Sequence, residues 1–134
     1  MLASPPRILI TDDDSGFRET LRDVFEPEGV ETVLAEDGEK ALDIARREQV
    51  HVLLSDMHMP KLTGLETIRR IQQIAGPIPC ILLSAKADRA ILEEALRLRA
   101  FSVLAKPVSR RRITSIVNLA LREFYDWPRL LRRL

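Results

Sequence analysis

His51-Val52-Leu53-Leu54-Ser55-Asp56-Met57-His58-Met59-Pro60 is the stretch on which the fold turns. A short apolar run carries the chain to one aspartate, and a proline four residues later forces a loop. An apolar run of this length between polar residues predicts a buried strand of the parallel type. The carboxylate that ends it does not belong in the core, because a buried, unpaired charge is expensive. In an open α/β sheet, chemistry sits just beyond the carboxyl ends of the strands. Asp56 is therefore the first candidate for a working residue.

The same grammar recurs on both sides. Arg7-Ile8-Leu9-Ile10-Thr11 predicts a strand that breaks into Asp12-Asp13-Asp14. Ser15 or Asp14 then caps a helix whose stripe is Phe17, Leu21, Val24 and Phe25, ended by Pro27 and Gly29. Val30 to Ala35 is a second strand, and after Gly38 a helix turns Ala41, Leu42, Ile44 and Ala45 inward. Beyond the Asp56 strand, Gly64 to Gln73 makes a helix facing in through Leu65, Ile68 and Ile71, stopped by Gly76-Pro77. Pro79 to Leu83 is the fourth strand, ending at Ser84, and Asp88 caps a helix with Ile91, Leu92, Ala95, Leu96 and Leu98 as its apolar set. Phe101 to Ala105 is the fifth strand, ending at Lys106-Pro107. Ser109 caps the last helix, with Ile113, Ile116, Val117, Leu119, Ala120 and Phe124 as its apolar set.

Five strands alternating with five helices over short connections predict a doubly wound α/β fold with a parallel sheet covered on both faces. The 134 residues suffice for one domain with a proper core. We expect residues 1–126 to form it. Residues 127–134 then read as an amphipathic tail or the start of a linker, with Trp127, Leu130, Leu131 and Leu134 at helical spacing. No signal peptide or run of about 20 apolar residues is present, and the lone Cys80 suits a reducing, cytoplasmic setting. Charge is uneven: residues 101–134 carry eight Lys and Arg against Glu123 and Asp126, while the first 100 carry 13 basic and 18 acidic side chains. A solvated helix face accounts for that basic end, and a docking surface is the sharper reading.

The strand ends now form a constellation: Asp12, Asp13 and Asp14 after the first, Asp56 after the third, Ser84 after the fourth and Lys106 after the fifth. Singly, each has an ordinary explanation as a cap, a turn hydroxyl or a surface charge. Together on one edge they are harder to dismiss. Crowded carboxylates repel, and a cation resolves the conflict. An oxygen-only set without clustered His or Cys suits Mg²⁺. Carboxylates, a hard divalent ion, a lysine and a hydroxyl make a site for a phosphoryl group. One carboxylate can itself be the nucleophile and form an acyl phosphate.

Four pieces, each after an expected strand and in this order, carry a family resemblance: Ile8-Leu9-Ile10-Thr11-Asp12-Asp13-Asp14, Asp56-Met57-His58-Met59-Pro60 with Gly64, Leu83-Ser84-Ala85, and Lys106-Pro107. Over about residues 7–124 the chain resembles the receiver domain of a two-component response regulator. The resemblance implies a flavodoxin-like (βα)5 fold with strand order 2-1-3-4-5. It implies that Asp56 accepts a phosphoryl group from the phosphohistidine of a sensor histidine kinase or phosphotransfer protein. Asp13, Asp56 and the backbone carbonyl of His58 would hold Mg²⁺, with Asp12 assisting through water. Lys106 would pair with the phosphoryl oxygens and Ser84 would move to hydrogen-bond one of them. A cis peptide at Lys106-Pro107 is also implied. The His58 ring and Lys86 would flank the pocket and tune the lifetime of the phosphoryl group. Asp14 is left outside the metal shell, and His51 reads as structural. The only catalysis expected is of the domain's own phosphorylation and dephosphorylation. A downstream protein target or output domain would read the state, with a homodimer through the last two helices and the fifth strand as an option. Neither direct nucleic-acid contact nor membrane association is expected.

Two positions depart from the family. Val103 stands three residues before Lys106, where receivers place a Tyr or Phe that rotates with the Ser/Thr, and Arg99 stands where a small residue is common. By strand alternation Phe101 is expected on the same face as Val103, about 7 Å further from the site. Two other functions compete. A receiver-like module could dock without phosphorylation. Alternatively, an aspartyl-nucleophile phosphatase of the haloacid dehalogenase type would use Asp12-x-Asp14, with Asp12 as nucleophile, but the chain lacks an acidic pair after the fourth strand.

Overall fold

Each of the five main helices starts at a side-chain oxygen that accepts a backbone N–H three positions on. Asp14 accepts from Phe17, Asp37 from Lys40, Thr63 from Glu66, Asp88 from Ile91 and Ser109 from Arg112. Each cap contributes about 0.5–2 kcal/mol and satisfies a donor that the helix cannot. At Thr63 the cap is reciprocal, since Glu66 accepts from the Thr63 N–H. The computed structural model describes residue 2 and residues 4–127. Its elements are β1 (Arg7–Thr11), α1 (Ser15–Phe25), β2 (Glu31–Ala35), α2 (Gly38–Arg47), β3 (Val52–Asp56), α3 (Gly64–Ala75), β4 (Cys80–Ser84), α4 (Arg89–Arg97), β5 (Ser102–Ala105) and α5 (Arg110–Tyr125). Leu130, Leu131 and Leu134 of the expected tail lie outside the described residues.

All strand pairs are parallel and the order is β2-β1-β3-β4-β5, as expected. Alternation sorts the side chains onto two faces. Ile8, Ile10, Val52, Leu54, Ile81, Leu83 and Leu104 pack against Leu21 and Phe25 of α1 and Ile113, Val117 and Leu121 of α5. Leu9, Leu53, Cys80 and Leu82 pack against Ala41, Leu42 and Ile44 of α2 and Ile68 and Ile71 of α3. The central strands β3 and β4 are buried at every position, which is why they read as unbroken apolar runs. No helix among the described residues is long and apolar enough to cross a membrane.

Several boundaries and faces differ from the sequence reading. Pro27 and Gly29 do end α1, but by way of a single 3-10 turn, Glu26–Glu28, which closes at Gly29 with φ +85°. The proline's fixed φ and missing N–H suit a first turn, and the left-handed position falls to glycine. In α4 only Ala95 is fully buried; Leu92 and Leu96 are 44% and 79% exposed, not inward-facing. The helix touches the sheet through a narrow stripe that includes Ile91 and Ala95, so their neighbours project outward. Phe101 is also on the other face. It lies in a bend one residue before β5: its N–H still donates to Cys80 O (2.7 Å), but its side chain falls outside the strand's alternation. It packs edge-on against Phe124 of α5, ring centroids 5.9 Å apart, whereas Val103 packs on the α3–α4 side. Arg99 occupies a left-handed φ of +57°, where only a residue without a β-carbon, glycine, escapes the steric penalty.

His51 is built into the far end of the sheet from Asp56. It accepts the Arg7 N–H at Nδ1 (2.9 Å), and its ring meets Tyr125 edge-on at 5.1 Å. Tyr125 Oη donates to the His51 carbonyl at 2.7 Å, tying the end of α5 to the sheet. Burial, with the Arg7 charge beside it, holds the His51 pKa below its ordinary value, while Glu31 opposes weakly. The fold thus prefers neutral histidine. As pH falls below about 6.5, the unfolded chain takes up a proton that the fold refuses, and stability drains away through the folded pKa. His51→Asn keeps an acceptor and removes the titration. Its stability deficit against wild type should shrink as pH falls from about 7 to about 5, measured by thermal melts. Parallel curves would contradict this assignment.

Candidate functional site

The sheet ladder runs past the formal strand ends and sets the site residues. Asp12 N donates to Ala35 O (3.1 Å), Met57 N to Leu83 O (2.7 Å) and Lys106 N to Ser84 O (2.8 Å). These bonds hold the first residues beyond each strand in register, so the side chains from β1, β3, β4 and β5 converge on one edge. Gly64 lets the chain close beneath. Its N–H donates to Met57 O (2.8 Å), and a β-carbon there would collide with the Asp56 carbonyl oxygen and Leu82. Lys61, at a left-handed φ of +72°, reaches Asp37 at 3.5 Å and ties this loop to the start of α2.

Three carboxylates meet here. Asp12, Asp13 and Asp56 each offer an oxygen, and these oxygens lie within 4.8 Å of one another. Asp12 and Asp56 are buried while Asp13 is exposed. Lys106 stands between the buried two, its Nζ 2.9 Å from Asp56 Oδ1 and 3.2 Å from Asp12 Oδ2. Burial raises the Asp12 pKa; the Asp14 N–H on its Oδ1 (2.9 Å) works the other way, and the Asp56 charge raises it further. For Lys106, burial disfavours the charge, but the hydrogen bond to Asp56 and the attraction of Asp12 and Asp56 prevail and raise its pKa. Lys106 is therefore charged at neutral pH, a fixed cation beside Asp56.

Ser84 is fully buried, and its hydroxyl is engaged by the following loop. Oγ donates to Lys86 O (2.7 Å) and accepts from Lys86 N (3.2 Å). Lys106-Pro107 is cis, as the resemblance implied. Asp14 serves as the cap of α1, while His58 and Lys86 are exposed at the ends of β3 and β4. Two neighbours were not singled out from the sequence. Arg18 Nη1 donates to the Asp12 carbonyl at 2.6 Å, and the Phe17 ring faces Lys106 Nζ with 5.2 Å to its centroid. Helical periodicity placed Phe17 on the inner stripe; nothing in it signals a contact with a lysine 89 residues away.

A family model described as "Response regulator receiver domain" matches residues 8–118. This chain belongs to that family. The receiver domain is 37% identical over 101 residues to Sporulation initiation phosphotransferase F of Bacillus subtilis, covering 75% of this chain and 82% of that protein. It is 33% identical over 116 residues to the transcriptional regulatory protein CpxR of Escherichia coli, covering 87% of this chain but only 49% of CpxR, so it spans about half of that relative. Among solved structures, a CheY-like response regulator receiver domain protein from Methanospirillum hungatei superposes with a TM-score of 0.85 at 25% identity, over 90% of this chain and 96% of that one.

The donor set of this receiver domain fits a hard divalent cation. Its oxygens come from three carboxylates, two of them buried, and one bears a pKa raised by burial and by its neighbour's charge. That strain on ionisation is what a cation at this spot would relieve.

Proposed function

We propose that the receiver domain of this two-component response regulator accepts a phosphoryl group on Asp56. The observation that carries the reading is the placement of the Asp56 carboxylate, buried at the end of β3, against Lys106 at 2.9 Å and beside Asp12 and Asp13. The phosphodonor would be the phosphohistidine of a sensor histidine kinase or phosphotransfer protein. An Asp56 oxygen forms the bond to phosphorus, the P–N bond breaks, and the departing imidazole keeps the electron pair and takes a proton from water. Asp13, Asp56 and the His58 carbonyl are the residues that would hold Mg²⁺, with Asp12 assisting through water. Bound there, Mg²⁺ supplies charge neutralisation for the oxygens of the transferring group. Lys106 adds a second, fixed positive charge to the same oxygens.

Asp12 is the poorer nucleophile. Its two oxygens are taken by the Asp14 N–H and by Lys106, which favours Asp56 over the phosphatase-like alternative. On this reading the domain is a phosphoacceptor that catalyses only its own phosphorylation and dephosphorylation, in the cytoplasm. A downstream protein or an output domain would read its state.

Ser84 would turn from Lys86 O to a phosphoryl oxygen, and the released Lys86–Asp88 loop would shift α4 without an aromatic at position 103. Val103 is too small to swing between buried and exposed states. The test is a Mg²⁺-dependent reaction with a small phosphodonor. Wild type should gain the mass of one phosphoryl group and lose that ability on chelation, and amide shifts should then change through residues 88–124. Absence of labelling would favour a docking-only module. Shift changes confined to the pocket would sink the relay through α4.

A further inference from the structure

Lys106 carries a flexible four-carbon stem, and its charged end has to stay on the phosphoryl side of the site while its partners change. Two sides of the ammonium are occupied by Asp12 Oδ2 and Asp56 Oδ1. A third is closed by the Phe17 ring, 5.2 Å from Nζ to centroid, within reach of a cation–π attraction. Phe17 is itself anchored. It lies in the first turn of α1, half-buried against the core between α1 and α5, and with Asp14, Ala85, Pro107 and Val108 it walls the cavity around Lys106.

We propose that Phe17 is a positioning residue that holds the Lys106 ammonium at the phosphoryl pocket through its ring face. This rests on the reading of Asp56 as phosphoacceptor. The chemistry favours a ring over any hydrogen-bonding partner at this point. A carboxylate would neutralise the lysine, and a hydroxyl or amide would hold it along one fixed direction. A π face attracts the cation without either effect. Lys106 can therefore turn from the Asp56 carboxylate to a phosphoryl oxygen while the ring keeps it from swinging into water. A leucine at position 17 would fill the core contact but offer no such face. A tyrosine would keep it.

The test compares Phe17→Leu and Phe17→Tyr with wild type, using phosphoramidate as a donor that needs no docking protein. Thermal melts establish that each variant is folded, and Phe17→Met replaces Phe17→Leu if the latter is not. Phe17→Leu should label more slowly by about threefold to tenfold, and Phe17→Tyr should stay within about twofold of wild type. In the unphosphorylated protein the Lys106 ε-methylene protons should carry an upfield ring-current shift that Phe17→Leu removes and Phe17→Tyr keeps. Equal rates for Phe17→Leu and wild type, equal slowing in both variants, or an unchanged Lys106 shift in Phe17→Leu would each overturn the proposal. If wild type does not label at all, the Asp56 reading fails, and the Lys106 shifts alone decide the role of Phe17.

Discussion

Asp56→Asn should abolish labelling by every phosphodonor, with or without Mg²⁺, and leave the fold intact. The amide has nearly the volume of the carboxylate, so the β3 end and its ladder bond from Met57 to Leu83 survive. What disappears is the nucleophile, because a neutral amide oxygen does not form a stable acyl phosphate. Stability without metal should hold or rise. One of three crowded negative charges is gone, and the charge that adds to the raised pKa of Asp12 goes with it. Asp12 then ionises more readily beside Lys106, its remaining cationic partner at 3.2 Å. Phosphorylation stoichiometry and a thermal melt check both halves. Undiminished labelling of the variant would remove Asp56 from its role.

Lys106→Ala should slow phosphorylation by about 10²–10³-fold, with donor and Mg²⁺ saturating. Lys106 is the cation the fold directs at both buried carboxylates, and its loss strips the transferring group of a preorganised positive charge. Asp12 and Asp56 would then face each other without their shared partner. Its removal raises the Asp12 pKa further from its ordinary value, so the variant's stability without metal should fall more steeply than wild type's as pH rises through that higher pKa. The sign follows from linkage: a carboxyl whose folded pKa is raised is easier to bury protonated, and the fold loses stability as the group is forced to ionise. Labelling rates and pH-dependent melts separate this from a general loss of structure. A variant that labels at the wild-type rate would leave Lys106 as a structural counter-ion only.

The polar half of the site was legible because each member follows an apolar run. Asp12, Asp56, Ser84 and Lys106 sit at strand ends that a parallel sheet must place on one edge. Strand order came with the resemblance rather than from periodicity, and the hydrogen-bond ladder agrees with it. Contacts made between elements were not legible. Phe17 has the spacing of a core residue and packs as one, yet its ring also faces Lys106. Arg18 looks like a solvated helix charge, yet it donates to the Asp12 carbonyl. Periodicity assigns a face and never a neighbour. The same limit explains α4, where an apolar spacing included Leu92 and Leu96 although the helix rests on a narrower stripe. Phe101 failed for a different reason: the chain bends there, one residue before β5, so its side chain leaves the alternation although its N–H is already bonded to Cys80 O.

The most direct test of the account is the position of the acyl phosphate. Wild-type protein labelled with phosphoramidate and Mg²⁺ is reduced with borohydride, which converts an aspartyl phosphate to homoserine, and the peptides are sequenced by mass. The account predicts homoserine at position 56 alone. Homoserine at position 12 would contradict it and make Asp12 the nucleophile.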